Sequence, residues 1–211
     1  MTNTIALENT PIFSCSVYKN KSVNFLSSVR EVANEFLHQN TNDLDDIYPV
    51  KMTGNMHQDP RLADFCHFIA DSSRAILDAQ GYAIDLFNMY FTGMWTQEHH
   101  KNSGMEQHIH GNRDQIVGFY FLDVPEESSR VLFHDPNVGK TITGLPEKDR
   151  FNLTQASEIA NFLPEEGSFI FCNAWLPHSF TRNRSDKPLK FVHFNLSVEP
   201  IPQQQCSVEI V

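Results

Sequence analysis

The sequence lacks the marks of several functional classes. It has no basic run: Lys and Arg total 16 against 26 Asp and Glu, for a formal charge of −10. Without a cationic stripe there is no electrostatic footprint for duplex nucleic acid, although a flipped base remains open as a substrate. No stretch approaches about 18 apolar residues, so no membrane span is predicted. Residues 1–18 carry neither a positive segment nor an apolar one, so no secretory signal is read there and a cytoplasmic location is expected. The 4 cysteines, at 15, 66, 172 and 206, form no Cys-x-x-Cys pair. That argues against a zinc ribbon and a disulfide framework, and for reduced, mostly buried thiols. Trp and Tyr are scarce too, at 2 and 5.

Phenylalanine, by contrast, is abundant at 17 of 211 residues, within a chain that is 40% hydrophobic and 20% charged. This composition folds, and its length suits a single domain, 1–211, with a ring-filled core.

The first part reads as helical. Ile12, Phe13 and Val17 are compatible with an edge strand. Ser22 is placed to cap a helix whose apolar positions, Val23, Leu26, Val29, Ala33, Phe36 and Leu37, recur at helical spacing up to Asn40. Residues 41–58 read as a loop. Asp59-Pro60 begins a second helix, with Leu62, Phe65, Cys66, Ile69, Ser73 and Ile76 on one face and Gly81 as its stop. From 83 onward the pattern becomes short strands, at 83–95, 105–110, 115–122, 131–134, 168–172, 179–182 and 189–198. Turn residues such as Gly111-Asn112 and Asp135-Pro136 separate them. The fold class is therefore mainly β: a sandwich or barrel over about 83–198, buttressed by two helices over about 22–81. The segment 140–160 is long for a loop, and a lid is one reading of it.

There are 10 histidines. His38, His57 and His67 read as surface residues, and His99 and His100 as solvated residues near a pocket mouth. His108 and His110 differ, because residues i and i+2 of a strand share a face and two imidazoles there can grip one cation. The alternative is a surface pair on an edge strand. His178 follows the apolar run Phe169 to Cys172 and opens another strand, where a remote third ligand is well placed. Imidazole serves Fe, Zn, Cu and Ni alike.

In the last strand, period two puts Lys190, Val192, Phe194, Leu196 and Val198 on one face, and Phe191, His193, Asn195 and Ser197 on the other. The first face is apolar apart from Lys190 and is expected to face the core. A lysine there needs an anion, such as a ligand carboxylate, unless it reaches water from the strand end.

His108-Ile109-His110, His178 and Lys190, 12 positions later, resemble the Fe(II)- and 2-oxoglutarate-dependent oxygenases. More closely, the chain is similar to a His-x-His branch of that superfamily found in bacteria and bacteriophages. The resemblance rests on Gly118-Phe119-Tyr120-Phe121-Leu122, Pro125, Phe133-His134-Asp135-Pro136, Trp175-Leu176-Pro177-His178 and Phe194-Asn195, all in order, and on Pro11-Ile12-Phe13 in the lead-in. It implies a double-stranded β-helix, or jelly-roll, of the cupin kind. It also implies Fe(II) held by His108, His110 and His178, with 2-oxoglutarate held by Lys190 and with Trp95 and Tyr120 as weaker pocket candidates. The implied reaction is hydroxylation of a small molecule or a protein side chain, with release of succinate and CO2, in the host cytoplasm if the protein is viral. His110 stands where the superfamily usually has a carboxylate; Asp114 and Asp135 are the nearest acidic substitutes. Two other classes fit parts of the pattern: a non-catalytic cupin-like metal-binding module, and a hydrolase with zinc on three histidines. An inward Lys190 would separate the oxygenase from both.

Overall fold

The computed structural model describes residues 8, 10, 12–40 and 43–202, so Pro11, Thr41 and Cys206 lie outside the described residues. Among the described residues ten strands run in the order β1 (Val17–Lys21), β2 (Val50–Met52), β3 (Phe87–His99), β4 (Met105–His108), β5 (Ile116–Asp123), β6 (Val131–His134), β7 (Ile159–Phe162), β8 (Ser168–Asn173), β9 (His178–Phe180) and β10 (Leu189–Pro200). Helix α1 (Leu26–Gln39) lies between β1 and β2, and α2 (Ala63–Ala79) between β2 and β3. One sheet has the order β1-β8-β5-β10-β3-β2 and the other β4-β9-β6-β7, with the paired strands antiparallel. Two facing antiparallel sheets of this kind are the jelly-roll.

The helix signals act as read. Asp59 accepts the Arg61 N–H at 2.9 Å, Pro60 opens the first turn, and Gly81, at φ 91°, ends the run. Ser22 has extended backbone but makes no side-chain cap, and a short 3-10 turn, Val23–Phe25, precedes α1. The lead-in strand begins at Val17, beyond Ile12 and Phe13, and both β2, inside the 41–58 stretch read as a loop, and β7 lie where no strand is expected.

The larger sheet has a core on each side. Towards the helices, Met94, Tyr120, Phe169, Phe171, Val192, Phe194 and Leu196 pack with Val29, Val32, Phe65 and Ile69. Towards the smaller sheet, Val117, Phe119, Phe121, Ile170, Leu189 and Phe191 pack with Phe133, Leu176 and Phe180. β5 is buried on both faces, which is why its sequence is apolar without alternation. Gly118 sits on it because a Cβ would come within 2.4 Å of the Phe194 ring and of the Ile170 carbonyl oxygen.

Candidate metal centre

The space between the sheets collects the histidines. β4 pairs with β9 in a register that sets His108 opposite His178. His110 lies just past β4, held by its N–H to the Ala174 carbonyl at 2.9 Å. The chain then turns tightly: Asp114 N–H donates to Gly111 O at 3.0 Å, with Asn112 and Arg113 at φ 54° and 67°. Two successive left-handed residues are the signature of a type I′ turn, and they aim the histidine segment back at the barrel. One ligand nitrogen from each of His108, His110 and His178 lies within 4.8 Å of the others, and among the described residues no further Cys, His, Asp or Glu joins that group.

The hydrogen bonds select the free nitrogens. His108 Nδ1 faces Glu106 O at 2.8 Å, and His178 Nδ1 faces Leu176 O at 3.0 Å. Carbonyls only accept, so both rings carry the proton on Nδ1 and present a bare Nε2. His110 Nδ1 is 3.2 Å from the Asn195 amide nitrogen, while Asn195 Oδ1 is buried without a partner. Exchanging the amide's oxygen and nitrogen lets Nδ1–H donate to Oδ1, and His110 then presents Nε2 as well. The Nε2 atoms of His110 and His178 are buried with no hydrogen-bond partner in the protein. Such orphaned acceptors are unfavourable, and a metal ion satisfies them, so the donor set fits a metal.

Burial keeps the His110 and His178 rings neutral, the form a ligand needs. It pulls the His110 pKa down to about 4, assisted by His108, and the His178 pKa to about 3, with the Leu176 carbonyl opposing. The acidic substitutes are engaged elsewhere. Asp114 accepts the Thr92 hydroxyl at 2.6 Å, and Asp135 pairs with Lys140 at 2.5 Å. Three neutral imidazoles leave a divalent ion's charge uncompensated, which favours an anionic ligand at its remaining positions.

Beside the triad lies a fourth imidazole that the sequence reading had not singled out. His193 is 1% exposed, its ring is 5.0 Å from His110, and neither ring nitrogen has a partner. Trp95 stacks on it at 4.5 Å between ring centroids. Period two offered the signal, since His193 and Asn195 share the face opposite Lys190. His99, expected in solvent, is fully buried: its Nε2 meets Gln97 at 2.8 Å, and burial drives its pKa to about 4.

Lys190 and Tyr120 are corrections. Both sit on the helix side of the large sheet, away from the triad. Lys190 Nζ donates to Asn34 Oδ1 on α1 at 2.8 Å and lies 3.2 Å from Asp123 and 3.4 Å from Glu98. One donor is thereby hydrogen-bonded, and the charge is paired with two carboxylates. The Tyr120 hydroxyl donates to Ser22 O at 2.9 Å, and its ring packs on Phe169. The apolar face of β10 does face a core, but it is the core under the helices.

Residues 93–195 match the model of the family described as "Putative 2OG-Fe(II) oxygenase". Those residues belong to the 2OG-Fe(II) oxygenase family. Its cofactors are Fe(II) and 2-oxoglutarate. Among solved structures, the chain is similar to the non-haem alpha-ketoglutarate-dependent carbocyclase SnoK of nogalamycin biosynthesis, at 12% identity and TM-score 0.64, covering 90% of this chain and 84% of that one. It is similar to a Pseudomonas putida prolyl-4-hydroxylase at 8% identity and TM-score 0.60, covering 86% and 93%. HygX from Streptomyces hygroscopicus, solved with nickel, 2-oxoglutarate and hygromycin B, matches at 10% identity and TM-score 0.54, covering 87% and 83%. These likenesses establish the fold. No curated protein matches the chain in sequence. Among the described residues, no helix is long and apolar enough to cross a membrane.

Proposed function

We propose that this 2OG-Fe(II) oxygenase is a hydroxylase whose Fe(II) is held by the Nε2 atoms of His108, His110 and His178. The observation that carries the reading is the convergence of three imidazoles, two of them with buried Nε2 atoms that meet no protein donor. When bound, Fe(II) and 2-oxoglutarate supply the oxidation: O2 is consumed, 2-oxoglutarate becomes succinate and CO2, and a substrate C–H becomes C–OH.

The chain's own residues hold the ligands and shape the space. Glu106 O and Leu176 O fix two ring tautomers, and Asn195 fixes the third. Trp95, His193 and Phe119 pack ring against ring beside the triad. A small molecule or a protein side chain is the substrate class in view. The prolyl-4-hydroxylase and the hygromycin-bound HygX among the similar structures support that range.

A three-histidine zinc hydrolase shares this donor set. Lys190 does not separate the two readings, because it faces the helices; the family match favours the oxygenase. The test is anaerobic addition of Fe(II) and then 2-oxoglutarate. A metal-to-ligand charge-transfer band in wild type and none in His178→Ala supports the proposal. Zinc binding with no such band, and no succinate formed with any candidate substrate in air, would favour the hydrolase.

A further inference from the structure

The resemblance implies a cation for the far carboxylate of 2-oxoglutarate, and among the described residues no buried lysine or arginine faces the space between the sheets. Lys190 is the sole buried lysine or arginine among the described residues. It lies behind the β10 backbone, with Asn34, Asp123 and Glu98 around its Nζ. The β10 face that does look towards the triad carries Leu189, Phe191, His193 and Asn195. Phe191 stacks on Phe180 at 4.9 Å with 7° between planes, and Phe119 and Phe121 stand 5.7 Å and 5.9 Å from it. Phe119 in turn touches the His178 ring at 5.6 Å. Away from the metal ligands, then, this wall is made of rings. The polar groups set among them are His193, His99, Gln97 and Asn195, which carry no charge.

A carboxylate put against this wall would lose its hydration and gain no counter-charge, whereas an alkyl chain there would only gain. The other end of a 2-oxo acid meets different chemistry. Its carboxylate and keto oxygens chelate the metal directly, and three uncharged imidazoles leave that ion with its full positive charge. We infer that this chain selects its 2-oxo acid by the chelating end alone, so that an acid with an uncharged tail binds at least as tightly as 2-oxoglutarate. The inference rests on the proposed metal seat at His108, His110 and His178.

The experiment uses the full chain loaded anaerobically with Fe(II). 2-Oxoglutarate and 2-oxopentanoate, which has the same carbon chain without the far carboxylate, are titrated separately. Binding is read by calorimetry and by the charge-transfer absorbance. The expected result is an equal or lower Kd for 2-oxopentanoate, with both values unchanged in Lys190→Ala. Binding of 2-oxoglutarate that is tighter by about ten-fold or more would reveal a seat for the far carboxylate and overturn the inference. If Fe(II) binds and neither acid does, the inference fails while the metal seat stands. If Fe(II) itself does not bind, the proposed function falls and takes the inference with it.

Discussion

His193 and Trp95, directly paired across β10 and β3, stack with ring centroids 4.5 Å apart and 20° between planes. The histidine is thus held flat beside the triad with both nitrogens unpaired. His193→Phe keeps the stack and removes two buried orphans. It should raise the stability of the metal-free protein by roughly 1 kcal/mol, read by urea unfolding, and leave Fe(II) affinity unchanged. Loss of Fe(II) binding would make His193 a fourth ligand.

Lys190 is a structural cation in this fold. Lys190→Ala removes the cation that Glu98 and Asp123 share from either side of β10, leaving Asp123 with Arg30 at 2.8 Å and Glu98 with His100 at 2.8 Å. The expected cost is about 1–3 kcal/mol, discounted for the partial exposure of both acids, with Fe(II) binding intact. A variant as stable as wild type would show that the network contributes nothing.

Gly118→Ala should destabilise the chain by about 1–3 kcal/mol, because the added methyl enters the Phe194 ring and a β8 carbonyl, and the carbonyl cannot give way. Phe194→Leu in the same background should recover part of the loss. No recovery would place the conflict at the backbone instead.

Acid should destabilise the metal-free protein through its buried histidines. His110 and His99 have folded pKa values near 4 and His178 near 3, against about 6.5 for an unfolded chain. The folded values are depressed, so their contribution is complete above pH ~6.5 and is lost as pH falls towards ~4 and ~3. Urea midpoints measured across that window should fall as acid is added. His178→Phe should flatten the decline, and an unchanged profile would exclude this ring as its source.

The helices were legible from capping and spacing: Asp59-Pro60 and Gly81 act as their chemistry dictates. The three histidines do come together, but only His108 and His178 lie in strands: β4 ends at His108, and His110 follows it in the turn segment. Lys190 was misplaced for a specific reason. Alternation divides β10 into two faces, and the apolar one is expected to face the core, but this fold has two cores. The larger sheet is covered on both sides, so an apolar face did not identify the barrel side. The mixed face, Phe191-His193-Asn195, is the one that meets the triad. His99 was misjudged because Gln97 satisfies it locally, and sequence does not show that pairing. β7 was missed because its strand, Ile159–Phe162, follows a polar stretch with no alternation strong enough to announce it.

The three proposed ligands all come from the smaller sheet or its continuation, where β4 has 4 residues and β9 has 3. β3 and β10, in the other sheet, run to 13 and 12. Short ladders open first, so the metal-free protein should exchange its β4 and β9 amide hydrogens long before those of β10. An ion bridging His108, His110 and His178 would close that difference from one side. Metal loading would then be visible in hydrogen exchange as protection confined to the thin sheet, a fingerprint of occupancy that requires no substrate.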